Sequence, residues 1–160
     1  MTGPRRCEAC TQDVEAEARF NRARLVRLLC ALCMEGGGAV SGAITFLNHE
    51  GEPTAKERPR RGRGGHFYTP AKTRQAELAL GLSFLAAHNR KIATGPVALA
   101  VLFCTARPGR RDGDNCLKLL QDAGNGKAWE DDRLIRRTAV IVEAGPPKTV
   151  AAWCEIEESR

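Results

Sequence analysis

Val97-Ala98-Leu99-Ala100-Val101-Leu102-Phe103 is an unbroken apolar run of strand length, introduced by Gly95-Pro96. A strand that is apolar at every position, rather than at every second one, is buried on both faces. It is followed by Arg107-Pro108-Gly109-Arg110-Arg111-Asp112-Gly113-Asp114-Asn115, a polar loop leaving the end of a buried strand, which is a common place for functional residues.

Upstream of this strand, Ala43-Ile44-Thr45-Phe46-Leu47 is β-branched and aromatic enough to form another. From Glu50 to Gly65 the chain is rich in Gly, Pro and Arg, the composition of a long loop. Thr69 and Pro70 read as the N-cap and first position of a helix that carries Ala76, Leu78, Leu80, Leu82, Phe84 and Leu85 toward Asn89. Downstream, a second helix runs from about Asn115 to Ala123. Two late strands, Arg136 to Glu143 and Thr149 to Glu157, flank Gly145-Pro146-Pro147 and read as a hairpin. Runs of strands with two main helices predict an α+β domain over residues 42–160, built on a small mixed β-sheet.

Residues 1–38 form a Cys-rich N-terminal extension. Apolar residues from Phe20 to Leu32 recur near helical spacing between Arg19, Arg22, Arg24 and Arg27, and Gly36-Gly37-Gly38 closes the segment. Cys7-x-x-Cys10, nineteen intervening residues and Cys30-x-x-Cys33 fit the spacing of a four-thiolate structural Zn²⁺ site. A metal would account for the folding of a segment too short to bury a core alone.

At 160 residues the chain is of single-domain size, and 42% hydrophobic against 28% charged residues excludes wholesale disorder. The longest apolar runs fall far short of the roughly 20 residues that cross a bilayer, so no membrane association is expected. Met-Thr-Gly-Pro-Arg-Arg is not followed by an apolar stretch. Without an export signal, seven cysteines point to a reducing, cytoplasmic location. Cys104, Cys116 and Cys154 read as buried thiols, and His49, His66 and His88 sit singly and offer no catalytic centre.

The net charge of +6 is unevenly placed. Between Lys56 and Arg111 there are twelve basic residues and two acids, so that segment is +10 and the remainder −4. Concentrated cationic charge is the footprint of a phosphate-backbone partner. Within the second helix, Asp114, Lys118 and Asp122 fall on one polar stripe at about 100° per residue. By itself this is a capped helix with an i,i+4 ion pair. A further cluster, Glu130-Asp131-Asp132 after Trp129, is close enough along the chain to return beside Asp112 and Asp114. Hard divalent ions such as Mg²⁺ bind carboxylates and phosphate oxygens together and assist in-line attack on a phosphodiester. A calcium EF-hand is excluded, because Leu117 and Ala123 stand where its Gly and Glu belong.

Arg110-Arg111-Asp112-Gly113-Asp114-Asn115-Cys116-Leu117-Lys118, then Asp122-Ala123, then Trp129-Glu130-Asp131-Asp132, resembles the core motif of the RusA family of Holliday junction resolvases. The order of elements agrees upstream as well, with Lys56-Glu57-Arg58-Pro59-Arg60 in the loop and Tyr68-Thr69-Pro70 opening the helix. The resemblance covers about residues 43–157 and leaves the N-terminal extension outside.

It implies a homodimeric, Mg²⁺-dependent endonuclease that binds branched DNA and resolves four-way junctions by paired nicks in recombination and repair, in a bacterial or phage-encoded setting. Asp112, Asp114 and Asp132 match the metal-binding aspartates and Lys118 the essential lysine, with Asp131 adjacent to the third ligand. Arg58, Arg60, Arg61, Arg63, Arg110 and Arg111 would hold backbone phosphates. Two other readings stay open on the sequence: a non-catalytic, zinc-containing DNA-binding module, and a nuclease acting on flaps or forks.

Overall fold

The computed structural model describes residues 8–35, 42–87, 91–110 and 112–157. The chain is α+β. Helix α1 (Glu8–Glu35) is followed by β1 (Thr45–Glu50), a small ribbon of β2 (Arg60–Arg61) and β3 (Phe67–Tyr68), and helix α2 (Ala71–Ala87). Then come β4 (Val97–Thr105), α3 (Gly113–Gly124), β5 (Ile135–Ala144) and β6 (Lys148–Glu155). Short 3₁₀ turns, Pro108–Arg110 and Asp132–Leu134, lead into α3 and β5. Among the described residues no helix is long and apolar enough to cross a membrane.

Every residue of β4 is buried, and its side chains divide by the period-2 alternation of a strand. Val97, Leu99, Val101 and Phe103 enter one core with Phe84 of α2, Leu119 and Leu120 of α3, and Trp153 of β6. Ala98, Ala100, Leu102 and Cys104 enter a second core with Leu25, Leu29 and Cys33 of α1. The helix of the N-terminal extension therefore packs against one face of the sheet. Arg137 extends this seam by donating to the carbonyls of Leu32 and Cys33 at 2.9 and 3.1 Å, which satisfies carbonyls that the end of a helix leaves unbonded.

The four-stranded sheet has the order β1-β6-β4-β5. The expected hairpin of the two late strands is not formed: β4 lies between them, parallel to β5 and antiparallel to β6. A strand apolar on both faces has to be flanked on both edges, so the Gly145-Pro146-Pro147 connection passes over the end of β4. There the Gly145 amide donates to the carbonyl of Thr105 at 3.2 Å. The loop predicted from Glu50 to Gly65 is also more ordered than its composition implies. Pro53 is buried, and Arg60 and Arg61 pair with Tyr68 and Phe67.

The cysteine spacing misleads. Helix α1 is continuous from Glu8 to Glu35, and at 1.5 Å per residue Cys10 and Cys30 lie about 30 Å apart along it. Cys10 and the Cys30/Cys33 pair therefore do not meet around one Zn²⁺ within a chain; Cys7 and the Gly36-Gly37-Gly38 run lie outside the described residues. Cys33 is instead buried beside Cys154, whose thiol burial pushes up to about 12. Cys104 and Cys116 are buried as expected.

The chain's return after α3 is fixed by Trp129. Its indole is fully buried, meets the rings of Phe84 and Trp153 edge-on at 5.3 and 6.0 Å, and donates Nε1–H to the carbonyl of Gln121 at 3.2 Å. Gly124 makes room for it: a Cβ there would lie 2.7 Å from Trp129 Cε2 and 2.9 Å from Cη2. Gly124→Ala is expected to destabilise the fold by about 1–3 kcal/mol through overpacking. A lowered urea midpoint at unchanged m-value would register this, and an unchanged midpoint would contradict the packing.

Candidate active site

The polar loop after β4 ends at Asp112, which starts α3. Its Oδ1 accepts from the Asn115 amide at 3.1 Å, its Oδ2 from Asn115 Nδ2 at 2.6 Å, and its carbonyl from the Cys116 amide at 3.0 Å. An aspartate in this role satisfies donors that the first helical turn leaves open. Gly113 lets the helix start against the sheet, since a Cβ there would lie 3.1 Å from Val142 Cγ2. The apolar side of α3, with Cys116, Leu119, Leu120 and Ala123, is buried. Asp114, Lys118 and Asp122 consequently run along the outer face at successive four-residue intervals.

The buried Trp129 then sets what meets that face. With Trp129 held, the Glu130 amide donates to the carbonyl of Ala93 at 3.0 Å, and the 3₁₀ turn brings Asp132 to α3. Lys118 Nζ donates to Asp132 and lies 3.2 Å from Asp122 Oδ1. The Asp132 hydrogen bond, with a further contribution from Asp122, raises the Lys118 pKa above its ordinary value. The lysine is therefore an ammonium throughout the neutral range. Asp131 caps the 3₁₀ turn and accepts from Arg133 at its amide, Nε and Nη2, at 2.9, 2.8 and 3.1 Å. These bonds hold its carboxyl down at about 2. Of the two adjacent aspartates, Asp132 faces α3 and Asp131 serves the local turn.

Lys56 joins the same face from the other side of the chain. Its ammonium pairs with Asp122, and its amide donates to the carbonyl of Asn115 at 3.0 Å. Nearby, the hydroxyl of fully buried Thr105, the last residue of β4, donates to Glu52. The segment between β1 and β2 is thus strapped across α3 and the end of β4, and Arg58 follows two residues beyond the Lys56 anchor. Glu52 carries no special mark in the sequence, and Lys56 stands out only as part of a basic loop, because nothing in local spacing links position 56 to 122 or 52 to 105.

Asp122 and Asp132 with Lys56 and Lys118 make one ion-pair network on the helix face that also carries Asp114, and Asp112 caps the start of that helix. The donors are hard oxygens with Asp112 and Asp114 exposed, which fits a Mg²⁺-type ion in kind. Among the described residues no three acidic, His or Cys side chains converge as a finished metal cage; Asp132 and Asp122 are engaged with lysine ammonium instead. The arginines are solvent-exposed: Arg58, Arg60, Arg61 and Arg63 before and on the β2–β3 ribbon, and Arg110 in the turn before α3. Arg111 lies outside the described residues.

The family model described as Endodeoxyribonuclease RusA matches residues 50–151, which holds the strap, the ribbon, α2, β4, α3 and Asp132, and leaves α1 outside. No curated protein matches the chain.

The Lys56–Asp122 pair is half-shielded, with side chains 33% and 15% exposed, and it ties the strap to α3. Asp122→Ala is expected to raise amide exchange at Lys56 about fivefold, the equivalent of roughly 1 kcal/mol for such a pair. Hydrogen exchange by mass spectrometry measures this. Unaltered exchange in the strap would show that the backbone bond alone anchors it.

Proposed function

Because the chain belongs to the RusA endodeoxyribonuclease family, we propose that it resolves four-way DNA junctions by paired nicks, as a Mg²⁺-dependent homodimer acting in recombination and repair. The observation that carries this reading is the return of Asp132 to Lys118, on the helix face that begins with Asp112 and Asp114. That return supports reading the residues of the family match as one site, although Asp132 is fourteen residues beyond Lys118.

In this reading Asp112, Asp114 and Asp132 hold the ion, which when bound supplies Lewis-acid stabilisation of phosphate oxygens and a more acidic water. Lys118, kept cationic by Asp132 and Asp122, has no lone pair to accept a proton near neutrality. Its use is electrostatic: an ammonium beside the scissile phosphate stabilises charge that grows in the transition state. Asp122 and Lys56 position it, Asp122 by a second carboxylate contact and Lys56 by balancing that carboxylate. Arg58, Arg60, Arg61, Arg63, Arg110 and Arg111 neutralise backbone phosphates, which gives affinity without reading base sequence. Paired nicks on opposed strands need two such sites, one per subunit. Leu78, Leu82 and Leu85 on α2 are 70%, 68% and 57% exposed, apolar surface that a second copy would cover.

The test is incubation with a labelled four-way junction, a flap and a matched linear duplex, each with Mg²⁺ or with EDTA. Paired nicks in the junction alone, dependent on Mg²⁺, are expected; preferential cutting of the flap would move the substrate to flaps or forks. Asp114→Asn keeps the shape of the side chain and removes its charge, so it should abolish cutting and spare junction binding. Lys118→Ala should lower the cleavage rate about 100-fold or more, the scale of one lost transition-state donor, with little loss of affinity. Full activity of Asp114→Asn would refute the metal assignment, and equal losses of rate and affinity in Lys118→Ala would make that residue a phosphate anchor only.

A further inference from the structure

The β2–β3 ribbon carries two aromatic rings that the fold leaves uncovered. Phe67 is 74% exposed and Tyr68 51% exposed. They are neighbours in a strand, so their side chains leave opposite faces of the ribbon, and neither face is packed against a core. Keeping a Phe ring in water forgoes the free energy of its burial, and a two-stranded ribbon has little stability of its own to offset that. Each ring has an arginine as its cross-strand partner: Arg60 stands opposite Tyr68 and Arg61 opposite Phe67. From Arg58 to Tyr68 the chain holds four arginines and no acid. Arg60 is steadied by Glu57 at 2.7 Å, and the ribbon follows directly from the strap that Lys56 fixes to α3.

A ring and a guanidinium on each face of a narrow, exposed ribbon match one chemistry, that of nucleic acid with unstacked bases. The guanidinium takes a backbone phosphate while the ring takes the face of a base. Rings pointing in opposite directions do not lie together on a flat surface such as a bilayer. They do fit between two diverging strands, each ring toward its own side. Continuous duplex has no free base faces to offer, whereas the point where strands exchange in a junction does.

We propose that Phe67 and Tyr68 are specificity-determining residues that stack on unpaired bases at the branch point, so that the ribbon acts as a wedge distinguishing branched from linear DNA. This rests on the junction-resolving function proposed above and assigns to the ribbon the recognition of the branch itself.

The experiment uses the full-length chain in EDTA with two probes, a four-way junction carrying 2-aminopurine at the exchange point and a linear duplex carrying it in the same sequence. Phe67→Ala with Tyr68→Ala is expected to weaken junction binding about tenfold or more, within the range for losing base–aromatic stacking. It should also remove the 2-aminopurine fluorescence change and leave duplex binding within about twofold. Both residues are exposed, so the thermal midpoint should stay the same, and Tyr68→Phe, which keeps the ring, should retain the wild-type signal. An undiminished junction affinity and fluorescence change in the double variant would overturn the wedge. So would equal losses on junction and duplex, or a dimer that falls apart in the variant, which would place the rings in a protein interface. Cleavage of the junction by the wild type with Mg²⁺, run alongside, separates the two ideas. If the wild type cuts and the double variant discriminates as well as it does, only the wedge fails; if the wild type neither binds nor cuts, the junction-resolving function fails.

Discussion

The rest of the structure depends on the burial of β4 along its entire length. Nine residues with no polar side chain before the terminal threonine cannot sit at an edge or beneath a single layer without exposing apolar surface to water. They are covered by α2 and α3 on one side, by α1 on the other, and flanked by β5 and β6. The chain leaving this strand emerges between the layers, at the end where Gly145 and Glu52 also meet Thr105. Asp112 and the start of α3 are placed there by that exit.

A second constraint acts from the far end of α3. Trp129 is locked among Phe84, Trp153 and the space left by Gly124, and this hydrophobic anchor fixes where the three following acidic residues go. Asp131 closes its own turn with Arg133, while Asp132 reaches Lys118. Core packing thus determines which carboxylate faces the helix, and charge then completes the arrangement. Lys118 sits between two carboxylates, and Lys56 brings the arginine-bearing segment to the same surface.

What was legible in the sequence follows from where the physics is local. The apolar run of β4, the polar stripe Asp114-Lys118-Asp122 and the Pro-led start of α2 are patterns within one element, and each is found close to where periodicity puts it. The pairing of strands is not local. The two late strands are joined by a turn-like Gly145-Pro146-Pro147, yet the deciding factor is a third strand thirty residues upstream that needs both edges covered. The zinc spacing is read as if the chain between the Cys-x-x-Cys pairs folds back, and here that chain is one continuous helix held by Leu25 and Leu29 against the sheet. Lys56 was legible only as part of a basic loop and Glu52 not at all, since their partners are set by tertiary contact alone.

The central claim is that Asp112, Asp114 and Asp132 form one divalent-ion site beside an ammonium that stays charged. Its most direct measurement is Mn²⁺ binding followed by electron paramagnetic resonance, which reads occupancy without DNA or catalysis. A saturable site in the wild type, lost in Asp112→Asn and in Asp132→Asn while Asp131→Asn retains it, is the expected result. Binding that survives both substitutions, or that is lost equally with Asp131→Asn, would contradict the assignment.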